Sequence, residues 1–250
     1  MLHKKNQEGP RRQAGFTLVE LAVVLLIIGL IVGGIVRGQQ LITSAQLNSI
    51  QTDANKVRTA TVTFQDKFLA LPGDLSDVSL LSTDGLDNDP TAGNGDGRVE
   101  CAGGTSGDCR LGSAGDEAVQ FWVHLGTEGL LPTDANALNE QGITADTAFE
   151  TSFGGVFTVK HGIDTSNFLD TDRPNELLMM VGTANDLSSQ ANDKPILSSN
   201  DAARLDRKVD DGEATSGQML AGSSRGTTCR DNNEPDGYAS DGTCALAITF

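Results

Sequence analysis

A single ionisable side chain, Glu20, interrupts an apolar run that extends from Phe16 to Val36. A bare carboxylate near the bilayer interior costs roughly 2.5–3.5 kcal/mol on insertion scales, so such a residue has a function and a partner by default. The bond between Gly15 and Phe16 offers that partner. Its cleavage would expose an α-ammonium at the edge of the hydrocarbon, where the Glu20 of a neighbouring subunit would neutralise it. Two further residue sets could do chemistry. Cys101, Cys109, Cys229 and Cys244 all follow the apolar run, and Asp84, Asp87, Asp89, Asn94, Asp96 and Glu100 share one glycine-rich stretch.

The cysteines suit oxidation better than metal binding, because the Cys-x-x-Cys spacing of a zinc site is absent. Four cysteines allow three connectivities. Pairing nearest neighbours would close a Gly-rich loop between Cys101 and Cys109 and an Asp/Asn/Gly loop between Cys229 and Cys244. The acidic stretch invites calcium, which takes several oxygen ligands from flexible loops. A second such stretch holds Asp231, Asn233, Asp236 and Asp241. However, Asn94-Gly95-Asp96-Gly97 matches only part of an EF-type loop, with Ala92 where the first acidic ligand belongs. A solvated acidic loop accounts for the same composition. No other cofactor is expected.

Catalysis has little support. His3, His124 and His161 stand in no recognisable motif, and no nucleophile elbow, paired-histidine zinc motif or phosphate-binding glycine loop occurs. The reading is that of a protein without enzymatic activity. A net charge of −16 also argues against nucleic acid as a direct partner, since phosphate neutralisation needs clustered Lys and Arg.

Long elements must position these residues. The leader carries Lys4, Lys5, Arg11 and Arg12 against Glu8. By the positive-inside tendency this holds the N-terminus in the cytoplasm and sends the chain after Val36 across the membrane. The run 16–36 is long enough to cross a hydrocarbon core of about 30 Å. Beyond it Ile50, Ala54, Val57, Phe64, Phe68 and Leu71 recur at three- and four-residue steps, as an amphipathic helix requires. Leu71-Pro72-Gly73-Asp74 is a strong stop. One helix from Phe16 to about Leu69 would be about 80 Å long. Gly29 and Gly33 form a Gly-x-x-x-Gly pair that permits close helix packing.

After Pro72 the chain reads as a small head with long loops. Residues 73–116 show no helical periodicity, and a short helix follows, with Ser113 and Asp116 placed as a capping box. Its Phe121, Trp122, Leu125 and Leu130 read as core. Residues 156–159, 177–181 and 245–250 are short apolar runs of strand type, and Ser199-Asn200-Asp201 would cap a helix ended by Asp210-Asp211-Gly212. The expected class is α+β, with a long N-terminal helix packed against an antiparallel sheet of three or four strands.

The N-terminus resembles the type IV prepilin signal: a basic leader ending in Gly15, Phe16 as first mature residue, Glu20 as fifth, then an unbroken apolar helix. The resemblance implies that a prepilin peptidase cuts after Gly15 and methylates Phe16, and that other pilin-like subunits then bundle with the helix around Glu20. It implies a leader at 1–15, a transmembrane helix at 16–36, an amphipathic scaffold at 37–71 and an extracytoplasmic head at 72–250. It also implies a single-pass inner-membrane precursor, with its head in the periplasm, passed by an assembly machinery into a pilus at the cell surface. Arg37 stands where many major pilins carry proline. The Cys229–Cys244 loop resembles the C-terminal disulfide-bounded region of type IV pilins. Two alternatives stay open: a pseudopilin of a type II secretion system, and a membrane-anchored calcium-dependent adhesin that never polymerises.

Overall fold

The computed structural model describes residues 17–100, 115–143, 147, 149–151, 154–162, 176–183, 196–222, 229–231 and 237–250. The fold is α+β. Helix α1 runs over Leu18–Phe68, close to the span read from the sequence. It ends where Leu69 adopts a left-handed conformation, φ 56°, just before Pro72. That is the conformation in which helices commonly terminate.

The chain divides into two compact units, Met1–Ala45 and Gln46–Phe250. In the first, every described side chain from Thr17 to Val36 is exposed, and Leu18 keeps 87% of its surface open. The helix contains a window of mean hydropathy 2.8 and is long and apolar enough to cross a membrane.

In the second unit, the α1 stripe Leu47, Ile50, Ala54, Val57, Ala60 and Phe64 is buried, and Thr61 fills the gap in it. Helices α2 (Glu117–Thr127) and α3 (Ala135–Gln141) follow, then strands β1 (Gly155–His161), β2 (Leu177–Thr183) and β3 (Leu197–Ser198). Helix α4 (Ser199–Val209) precedes β4 (Met219–Gly222) and β5 (Thr243–Thr249). All strand pairs are antiparallel. β1 pairs with β2, and β5 pairs with β2, β3 and β4. Because side chains alternate across a strand, Phe157, Val159, Met179, Val181, Leu246 and Ile248 join the α1 stripe in one core. Leu178, Leu220, Ala245 and Ala247 form a second, smaller apolar cluster. Arg58 of α1 donates to the carbonyl oxygen of Thr249 in β5, which ties helix to sheet.

Trp122 and Phe121 lie in the core, edge-on to one another with centroids 5.2 Å apart. Asp116 stands at the N-cap of α2 but makes no side-chain capping bond, and Ser113 lies outside the described residues. The α4 cap is instead made by Ser198, whose hydroxyl accepts from the Asp201 amide at 3.1 Å.

Candidate functional site

The helix start is built by Thr17 and Glu20. The Glu20 Oε2 accepts from the Thr17 amide at 2.8 Å and from the Thr17 hydroxyl at 2.9 Å. The Glu20 amide donates back to Thr17 Oγ1 at 3.3 Å. This is a capping box, in which Thr and Glu three residues apart satisfy each other's backbone donors. Sequence reading gave Glu20 an intermolecular partner and missed this local one, although the Thr-x-x-Glu spacing carries the signal. Gly15 and Phe16 lie outside the described residues.

Cys229 and Cys244 are disulfide-bonded, with Cα atoms 4.8 Å apart and 15 residues between them in sequence. Both are fully buried. Cys244 sits in β5 opposite Leu197. Cys101 and Cys109 lie outside the described residues.

The acidic stretch is held by its neighbours. Asp84, Asp87, Asp89, Asn94 and Asp96 are all exposed. The Asp87 amide donates to Asn136 Oδ1, and Asn139 of α3 donates to the carbonyl oxygens of Asn88 and Asp89. Asp96 accepts from Asn94 Nδ2 and from the Arg98 amide. Of the second stretch, Asn233 and Asp236 lie outside the described residues. The organiser of the first stretch is Asp74, a residue of the helix-stop phrase. Its carboxylate is buried and accepts from the amides of Gly95 at 2.7 Å, Asp96 at 3.1 Å and Gly97 at 2.8 Å. Burial still raises its pKa above the usual carboxylate value, against those three donors. Gly73, at φ 86°, lies so close to α2 that a Cβ there would collide with the Glu117 carbonyl oxygen.

Two histidines fasten this loop at its ends. The Gly73 amide donates to His124 Nδ1 at 3.0 Å, so Nε2 carries the proton and faces the Thr91 carbonyl oxygen at 3.3 Å. The Val99 amide donates to His161 Nδ1 at 2.8 Å. Burial lowers the pKa of His161, helped by Arg98, and lowers that of His124 from 6.5 to about 4. A histidine that accepts a backbone proton must be neutral. Its contribution to stability is therefore complete above the unfolded-state pKa and lost as pH falls towards 4. The shift corresponds to about 3 kcal/mol. Denaturant unfolding of the wild type should lose about that much more stability between pH 7 and 4 than His124→Asn does. Equal losses in the two proteins would show that His124 is not the acid-sensitive group.

One cluster escaped the sequence reading. Among the described residues, Asp206, Asp210 and Asp211 alone form a group of three or more acidic, His or Cys side chains with ligand atoms all within 4.8 Å of one another. Asp206 belongs to the last turn of α4, and Asp210 caps that helix. The Tyr238 hydroxyl donates to Asp206 Oδ2 at 2.7 Å. Burial pushes the Asp206 carboxyl up to about 6, and the Gly212 amide tempers the shift. Asp211 accepts from Ser216 and from the Glu213 amide, which lower its pKa.

Residues 10–36 match the prokaryotic N-terminal methylation motif. No curated protein and no solved structure matches the chain significantly. The motif, followed by the long apolar helix, fits a type IV pilin-like protein. The same pair of features points to a membrane-anchored precursor of structural type that is processed by prepilin peptidase and assembles with pilin subunits. The motif ends at residue 36, so the head is read from its own residues.

Proposed function

We propose that the chain is a prepilin cut between Gly15 and Phe16, methylated on Phe16, and polymerised through its N-terminal helix into a type IV pilus or a related filament. The observation that supports this most is the methylation motif at residues 10–36, leading directly into a helix whose apolar side chains are exposed all round. In water that surface is unfavourable by roughly 25 cal/mol per Å². It is covered first by lipid and then by the helices of other subunits. Residues 1–15 act as the leader, 16–36 as the span, 37–71 as the scaffold and 72–250 as the head. The basic leader keeps the N-terminus in the cytoplasm, the head faces the periplasm, and the assembly machinery carries the mature subunit towards the cell surface.

Mass spectrometry of the protein from sheared cell-surface filaments tests this. The expected N-terminus is Phe16 bearing one methyl group. An intact leader in assembled material, or cleavage after Val36, overturns the proposal.

A further inference from the structure

The end of α4 concentrates negative charge in a way the fold alone does not balance. Asp206, Asp210 and Asp211 bring three carboxylates together at a helix C-terminus, which itself carries partial negative charge. Arg207 and Lys208 occupy the same turn, but among the described residues no basic side chain pairs with any of the three. Asp206 is fully buried, and its Oδ1 has no hydrogen-bond partner. A buried carboxylate with an unsatisfied oxygen requires a counter-charge.

The surrounding hydrogen bonds hold the three side chains from outside the cluster. The Gln218 and Met219 amides both go to Asp210 Oδ2. Ser216 and the Glu213 amide hold Asp211, and Tyr238 holds Asp206 through Oδ2. Gly217, at φ 73°, is needed because Asp210 lies directly against its backbone. The donors are hard oxygens. Their mutual spacing, within 4.8 Å, matches the reach of two metal–oxygen bonds of about 2.3–2.6 Å, the calcium range. Magnesium bonds of about 2.0–2.1 Å would need a tighter cluster.

We infer that Asp206, Asp210 and Asp211 bind one Ca²⁺ ion, which neutralises the buried Asp206 and joins the end of α4 to the 210–219 segment and to Tyr238. Water and backbone carbonyls complete the coordination. The ion favours the folded head by mass action.

The test uses the full chain in detergent, stripped with a chelator and dialysed. Calcium titration by calorimetry should give roughly one more bound ion per chain for the wild type than for Asp211→Asn. Asp211 is exposed and lies beyond the helix, so this variant keeps the fold. Calcium should raise the thermal midpoint of the wild type and leave that of Asp211→Asn unmoved. Asp206→Asn keeps the side-chain shape, so its metal-free midpoint should equal or exceed that of the wild type while its calcium response disappears. Terbium emission sensitised by Tyr238, the single tyrosine of the chain, should be displaced by calcium. Equal calcium stoichiometry in wild type and Asp211→Asn, no binding at millimolar calcium, or tighter binding of magnesium than of calcium would each overturn the inference.

Discussion

Cells whose only copy of this protein carries Glu20→Ala are expected to accumulate cleaved, folded, membrane-resident monomers and few filaments. In the single chain Glu20 is already occupied, since it caps its own helix through Thr17. Assembly therefore adds a second task, neutralising the ammonium of a neighbouring Phe16. Alanine removes both, and leaves an unpaired charge in a region where charges cost several kcal/mol. Glu20→Gln separates the two tasks. Its amide oxygen still accepts from Thr17, but it brings no charge. If charge pairing governs assembly, Glu20→Gln fails as Glu20→Ala does. If Glu20→Gln assembles normally and Glu20→Ala does not, capping is the role that matters and the pairing account is wrong. The head should not sense either change. Its buried residues begin at Leu47, well after Glu20 in the chain, so its unfolding midpoint should match the wild type. Filament yield in sheared fractions and thermal unfolding of the purified subunit together read both effects.

Replacing Cys229 and Cys244 together by alanine is expected to destabilise the head by about 3 kcal/mol, the value for closing a loop of some 15 residues. The bond joins two fully buried sulfurs, and Cys244 lies in the strand that three others pair with. Loss of the cross-link therefore loosens the chain just before the centre of the sheet. The backbone there is tied only by contacts such as the Ala239 amide on the Cys229 carbonyl oxygen. Denaturant unfolding under oxidising conditions measures the loss, and non-reducing peptide mapping should return the two cysteines as one linked pair. A double variant as stable as the wild type, or a map joining Cys229 to Cys101, would refute the assignment.

The parts of this protein legible in its sequence are those written in contiguous residues. The capping, periodicity and stop of α1 all act within a few residues of one another, so its limits could be read to within about two positions. β1, β2 and β5 were legible as apolar runs. By contrast, α3 has only seven residues, Ala-Asn-Ala-Leu-Asn-Glu-Gln, too few for a periodic signal. β3 and β4, of two and four residues, exist only because β5 offers them an edge. The same division holds for the site. Gly15, Phe16 and Glu20 are recognised as a linear string. His124 and His161 looked idle because their partners, Gly73 and Val99, are about fifty or more residues away. Asp206-to-Asp211 was read as a helix stop. Only the fold shows that one of these carboxylates is sealed from water beside Tyr238.

The position of β5 sets the timetable on which this head can form. Its partners lie far back along the chain: the nearest pairing in sequence is Ala245 with Gly222, and the farthest joins Thr249 to Leu178. Helix α1 can form from local contacts in about a microsecond, whereas a sheet built from such distant pairings is intrinsically slow. Until residues 243–249 arrive, β2 has β1 on one side and an open row of amides and carbonyls on the other. An unpaired edge of that kind recruits whatever strand is nearest. During synthesis, then, the danger of misassembly lies in the interval between the emergence of β2 and that of β5.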